Sequence, residues 1–130
     1  MSRFAYVNGN YLDFKKSLVH IEDRGYQFAD GVYEVFNVSD SRLVDYDLHI
    51  KRLYRSLGEL KIKSPIAKST FIYHIRNIIK KNIITDGLIY LQITRGVAPR
   101  DHKFPSKIKF TIVTISITLI RLSLFESPNN

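Results

Sequence analysis

Asn8-Gly9 sits between short apolar runs in Tyr6-Val-Asn-Gly-Asn-Tyr11. A type I′ turn needs positive φ at both central residues, so this dipeptide predicts a β-hairpin. Val32–Val38 (VYEVFNV) is rich in β-branched and aromatic residues and runs into Ser39-Asp40-Ser41, which predicts a strand and then a turn. Arg42–Val44 is expected to return as a short partner strand. The period then lengthens. Leu48, Leu53, Leu57 and Leu60 form an apolar stripe for a helix from about Asp47 to Leu60, with Asp45 or Asp47 as its cap. Phe71, Ile72, Ile75, Ile78 and Ile79 form a cleaner stripe for a second helix, capped by Ser69 or Thr70 and ended by Asn82 and the Asp86-Gly87 turn. Alternation returns in Leu88–Thr94, where Ile89, Leu91 and Ile93 oppose Tyr90, Gln92 and Thr94, the mark of a half-buried strand. Gly96–Pro105 is expected to be a loop and Lys107–Leu119 a long strand. Hairpins, then two helices, then further strands predict an α+β fold, a mostly antiparallel sheet with two helices packed on it.

Composition narrows the chemistry. The 130 residues suffice for one domain with a real core, and 45% hydrophobic content with eight Tyr and eight Phe argues against disorder. Without cysteine, disulfides and thiolate metal sites are excluded, and the four histidines (20, 49, 74 and 102) show no metal-ligand spacing. The amino terminus lacks the apolar core of a secretory signal, and the longest apolar stretch, Phe110–Ile120, is far short of the roughly 20 residues a membrane helix needs. A cytoplasmic protein without a membrane partner is the expectation. The net charge of +8 is uneven: up to Pro65 ten Lys and Arg face nine Asp and Glu, and beyond it ten face three. Such an excess suits an anionic partner, although from charge alone a solvated basic face is the favoured reading.

Three segments could carry chemistry. Asp23–Glu34 (DRGYQFADGVYE) places Gly25 and Gly31 at tight backbone positions among polar Asp23, Arg24 and Asp30 and aromatic Tyr26, Phe28 and Tyr33. In His49–Ser56 (HIKRLYRS), His49 and Arg52 share a helix face with Ser56 one turn on, and a helix-borne arginine can clamp a phosphate through a charge-assisted fork. Thr94–His102 (TRGVAPRDH) follows a strand end, and its Arg95, Arg100 and His102, stiffened by a Gly and a Pro, would suit a carboxylate. Taken singly, each reads first as an ordinary structured loop or solvated face. There is no G-x-S-x-G elbow, P-loop or G-x-G-x-x-G.

Taken together, DRGYQFADGVYEV, HIKRLYRS and YLQITRGVAPRDHKFP resemble, in order and spacing, the class IV pyridoxal-phosphate-dependent aminotransferases, over about residues 4 to 118. The R-G-x-x-x-R-x-H run is most similar to the D-amino acid members of that group. The resemblance implies a small amino-terminal α+β domain, here residues 1–119 followed by a frayed or truncated tail at 120–130. It implies pyridoxal phosphate as cofactor, Arg52 on its phosphate, Tyr33 beside the substrate carboxylate, and Val35 near the substrate side chain. Arg100 and His102 would complete a carboxylate trap in the neighbouring subunit of a homo-oligomer. The substrates implied are a D-amino acid and a 2-oxo acid. Transamination also needs a Schiff-base lysine and an acid at the pyridinium nitrogen, and both belong to a carboxy-terminal domain. None of the chain's lysines lies in an evident apolar pocket. No catalytic residue is therefore assigned, and the expectation is a truncated or split half, inactive without a separately encoded partner. Ala29 departs from the family's usual Gly. The alternatives are a basic anion-binding module, with nucleic acid disfavoured because no nucleic-acid motif is present, and an inert dimerising pseudo-enzyme.

Overall fold

A computed structural model describes residues 3–107 and 109–118. The tail 120–130 lies outside the described residues. Two short strands, β1 (Phe4–Val7) and β2 (Asn10–Asp13), form the expected hairpin, and Asn8 (φ 48°) and Gly9 (φ 94°) both take the positive angles that its turn requires. A one-turn helix, α1 (Arg24–Phe28), leads into β3 (Gly31–Ser39), which turns through Asp40 and Ser41 into β4 (Arg42–Leu43). Two longer helices follow, α2 (Tyr46–Glu59) and α3 (Lys68–Lys81), and then strands β5 (Gly87–Thr94) and β6 (Thr111–Thr118). The six strands make one sheet in the order β2-β1-β6-β5-β3-β4, every neighbouring pair antiparallel. This is the α+β architecture that the alternating and helical periods predict.

Both long helices cover one face of the sheet. Ile50, Leu53 and Leu57 of α2 and Phe71, Ile75, Ile78 and Ile79 of α3 join Tyr6, Val32, Phe36, Val38, Ile89, Leu91, Ile93 and Ile112 in a single core. Each fully buried aliphatic or aromatic side chain stabilises by about 1.5–3 kcal/mol, so this core is what drives folding. The other face carries Tyr33 and Val35, then Leu88, Tyr90 and Gln92, then Val113, Ile115 and Ile117, in rows set by the pairings Tyr33–Gln92–Val113 and Val35–Tyr90–Ile115. No helix among the described residues is long and apolar enough to cross a membrane.

Several local expectations need correction. The stripe of α2 runs through Ile50, Leu53 and Leu57, whereas Leu48 and Leu60 are exposed. Spacings of 3 and 4 keep Ile50, Leu53 and Leu57 on one face; a spacing of 5 swings Leu48 off it, and Leu60 lies past the last helical residue. Asp45 does stand at the N-cap, but in the left-handed conformation (φ 54°) and without a side-chain cap bond. Helix α3 begins at Lys68, before the proposed caps, and its N-cap Ala67 offers no side-chain acceptor. The last strand starts at Thr111, not Lys107, because Phe104 folds back over the Arg95 guanidinium, 4.5 Å from its ring centre, before the chain enters the sheet.

One buried polar residue lies on the α3 stripe. His74 is stacked on Tyr6 (4.1 Å between ring centres, 8° apart) and its Nε2 is 2.9 Å from Thr114 Oγ1. Burial pushes its pKa down to about 4 from 6.5. The unfolded chain therefore takes up the proton first as pH falls. Stability attributable to His74 is complete above pH 6.5 and is lost between there and about pH 4, by about 3 kcal/mol at one pKa unit per 1.36 kcal/mol. Urea unfolding at pH 7 and pH 4.5 is expected to show this loss, and His74→Gln to flatten it. A second expectation concerns Ala29, which ends α1 in the left-handed region (φ 53°) that glycine adopts without steric cost. Ala29→Gly relieves about 1–2 kcal/mol of backbone strain at a cost of about 0.5–1 kcal/mol in chain entropy, so a net gain of about 0.5–1 kcal/mol is expected in the same assay.

Candidate functional site

The entry to β3 is built on a buried ion cluster. Asp23 caps α1, its Oδ1 accepting from Gly25 N at 2.8 Å. Gly25 and Gly31 are required by close approach: a Cβ on Gly25 would run into the Thr94 side chain, and one on Gly31 would lie 2.7 Å from Ile93 O. Asp30 then receives two arginines on one oxygen, Arg24 Nε and Arg95 Nε each donating to Oδ2 at 2.8 Å. All three side chains are buried. Burial alone would raise the Asp30 pKa, but hydrogen bonds from Arg95 and Arg24 outweigh it and hold the carboxyl below its usual value. Arg95 also donates Nη2 to Leu60 O (2.8 Å), and Arg24 donates Nη1 to Asp101 O (2.7 Å). Arg95, considered in the sequence with Arg100 and His102 as a carboxylate receptor, is thus committed to the interior.

Beyond Gly31 the strand alternates. Val32, Glu34, Phe36 and Val38 face the helices, and Tyr33 and Val35 face the other way. Glu34 is the exception on the apolar side. Its Oε1 accepts from Arg52 Nη2 (2.7 Å) and lies 2.7 Å from His49 Nδ1, and its Oε2 accepts from Arg52 Nε (3.0 Å). Burial would raise its pKa, yet the Arg52 and His49 contacts prevail and lower it. The shared helix face of His49 and Arg52 is as the spacing predicts, but the partner of the arginine fork within this chain is Glu34. Glu34 was missed as a functional residue, although a carboxylate in the core-facing register of VYEVFNV is a readable sign that a buried cation partner exists.

The five predicted site residues fall into two groups. Tyr33, 64% exposed, stacks on Tyr90 (5.9 Å between ring centres), and Val35 lies beside it on the open face. Arg52 is tied to the same strand through Glu34, which lies between Tyr33 and Val35 in sequence, and the Glu34 hydrogen bonds raise its pKa. Arg100 and His102 form the second group, both on the Phe28 ring, at 4.8 Å and 5.5 Å from its centre. Arg24 lies over the same ring at 4.6 Å. Among the described residues no hydrogen bond, ion pair or ring contact joins this group to Tyr33, Val35 or Arg52. All eleven lysines are exposed.

The amino-transferase class IV family model matches residues 31–123. The chain belongs to the class IV aminotransferases. D-alanine aminotransferase of Staphylococcus haemolyticus is 40% identical over 102 residues, 78% of this chain and 36% of that protein. The Bacillus licheniformis D-alanine aminotransferase is 41% identical over 97 residues, 75% and 34% of the two chains. In structure the fold matches a branched-chain amino acid aminotransferase from Escherichia coli with a TM-score of 0.84 at 17% identity, covering 92% of this chain and 42% of the other. A 4-amino-4-deoxychorismate lyase from Pseudomonas aeruginosa matches at 0.69 and 20% identity, over 88% and 39%. The chain spans about a third of the length of the curated relatives it matches.

In this class IV chain the Asp30 cluster is what sets the direction of β3 and the attachment of the loop that carries Arg100. Removing one partner of a buried ion group leaves uncompensated charge and costs about 3–5 kcal/mol. Asp30→Ala is therefore expected to lower unfolding free energy by about that amount in urea titrations. Its carboxyl and that of Glu34 titrate below their usual values, so their contribution is present above those values and fades only as pH falls below about 4.

Proposed function

We propose that residues 1–119 are the cofactor-phosphate and substrate-carboxylate domain of a D-amino acid aminotransferase. It would exchange an amino group between a D-amino acid and a 2-oxo acid. The observation that carries this reading is the arrangement on β3: Tyr33 and Val35 stand on the open sheet face, and Glu34, the residue between them in sequence, holds Arg52 from the helix side with the arginine side chain 63% exposed. That arrangement sits within a segment about 40% identical to D-alanine aminotransferases.

The residues present fit a phosphorylated cofactor. Arg52 is a permanently charged donor whose inner nitrogens are fixed on Glu34, leaving Nη1 to bind phosphate oxygens. Tyr33 would donate its hydroxyl to the substrate α-carboxylate, and Val35 would give the side chain an apolar contact. Arg100 and His102, paired on Phe28, would add two donors to that carboxylate in a neighbouring copy, which makes a homo-oligomer part of the proposal. When bound, pyridoxal phosphate supplies the electron sink that labilises the bonds at the amino acid's α-carbon. A lysine that carries the cofactor should be buried, where desolvation brings its amine toward neutrality. The eleven exposed lysines here do not meet that need, so we assign the lysine to a carboxy-terminal domain. The cytoplasm is the proposed compartment.

The reading is tested by joining this chain, covalently or by co-expression, to the carboxy-terminal portion of a D-alanine aminotransferase. Turnover of D-alanine with 2-oxoglutarate is expected, none is expected from the chain alone, and L-alanine should be inert. Arg52→Gln is expected to weaken cofactor retention about 10-fold or more, since a charge-assisted fork is lost. Retention unchanged by that substitution would overturn the assignment of Arg52.

A further inference from the structure

Glu34 occupies a position where an unpaired carboxylate would be strongly disfavoured, in the core-facing register between Val32 and Phe36. It is stabilised by three N–H groups. A guanidinium has two forked edges, one formed by Nε and Nη2 and the other by Nη1 and Nη2. Glu34 takes the first, with Nε at 3.0 Å from Oε2 and Nη2 at 2.7 Å from Oε1. Among the described residues Nη1, on the second edge, makes no hydrogen bond, and the side chain is 63% exposed. His49 completes the grip. Its Nδ1, 2.7 Å from Glu34 Oε1, must carry a proton to donate, and its ring is tilted against Phe36 at 5.0 Å. Since that Nδ1 is a donor, the 3.5 Å approach of Arg52 Nη2 to it is a contact and not a bond. Phe36 thus braces His49, both His49 and Arg52 meet Glu34, and the chain of contacts ends at an exposed, oriented fork.

We propose that Glu34 is a positioning residue, which with His49 fixes the Arg52 guanidinium so that its outer edge is presented to the phosphate of the cofactor. The proposal rests on the reading of Arg52 given above. It makes a claim that charge alone would reverse. Glu34 carries the opposite sign to Arg52, so if electrostatics dominated, removing the carboxylate would strengthen phosphate binding. If orientation dominates, removal frees a long side chain that must be ordered again on binding, and binding weakens.

The test uses the full 130-residue chain and two probes, inorganic phosphate and pyridoxamine 5′-phosphate, which carries the phosphate without an aldehyde to react with surface lysines. Nitrogen-15 NMR follows the Arg52 Nε–H signal. In the wild type a resolved, slowly exchanging signal is expected, shifting in a saturable way with either probe. In Glu34→Gln, which keeps the side-chain volume, the signal should broaden and the dissociation constant for both probes should rise about 3–10-fold in spite of the added positive charge. Equal or tighter binding by Glu34→Gln would show that Glu34 only neutralises, and would overturn the proposal. A wild-type Arg52 signal unmoved by either probe would overturn the reading of Arg52 itself, and the proposal with it. Should Glu34→Gln fail to fold, His49→Asn removes one of the three grips at a partly exposed position. A rise of about 2–3-fold is expected there, and no change would count against the positioning role.

Discussion

A chain with eight excess positive charges gathers Arg24, Arg95, His49 and Arg52 around the first residues of a single strand. It can do so because two carboxylates, Asp30 and Glu34, are buried among them. The two anions have different tasks. Asp30 binds two buried arginines and locks α1, the start of β3 and the loop after β5 into one body. Glu34 binds a histidine and an arginine that both lie on α2, and the arginine remains half outside. One carboxylate closes an interior; the other leaves a cation facing outward.

The strand between them divides its work by period. Residues 32, 34, 36 and 38 serve the core, and residues 33 and 35 serve the open face, so the candidate site inherits the rigidity of the sheet. Strand β3 is paired along its length with β5 on one side, while β4 covers only Val38 and Ser39 on the other. Among the described residues its first half therefore has no strand on that side, and Arg52 reaches the strand there only through Glu34. Sites on strands and helices are more accurately placed than sites on mobile loops. The Arg100–His102 segment is the contrasting case. It is a loop, and its order comes from the Phe28 ring and from the Arg24 bond to Asp101 O.

Most of the fold was legible from local pattern. Asn8-Gly9, the VYEVFNV run, the α3 stripe and the alternation of Leu88–Thr94 each report a backbone preference or a buried face that holds whatever else the chain does. The misreadings have two causes. Leu48 and Leu60 are apolar but off the geometric stripe, a matter of local spacing and of where α2 ends. The last strand begins late because Phe104 packs on Arg95, a contact between segments that the local pattern does not join.

For the candidate site the same division holds. The amino-acid sequence by itself determined the α+β fold class, the helix face shared by His49 and Arg52, the need for small residues at Gly25 and Gly31, and membership of the class IV family, because these depend on residue type and short-range spacing. Only the tertiary structure decided that Arg95 is interior while Arg100 is exposed, that Arg52 is gripped by Glu34, and that Arg100 and His102 share a ring from α1. Arg24–Asp30 aside, those pairings join residues from 15 to more than 70 positions apart. A charged group gives no sign in its own sequence neighbourhood of whether it will meet an opposite charge or water; that is settled by how the sheet brings distant segments side by side.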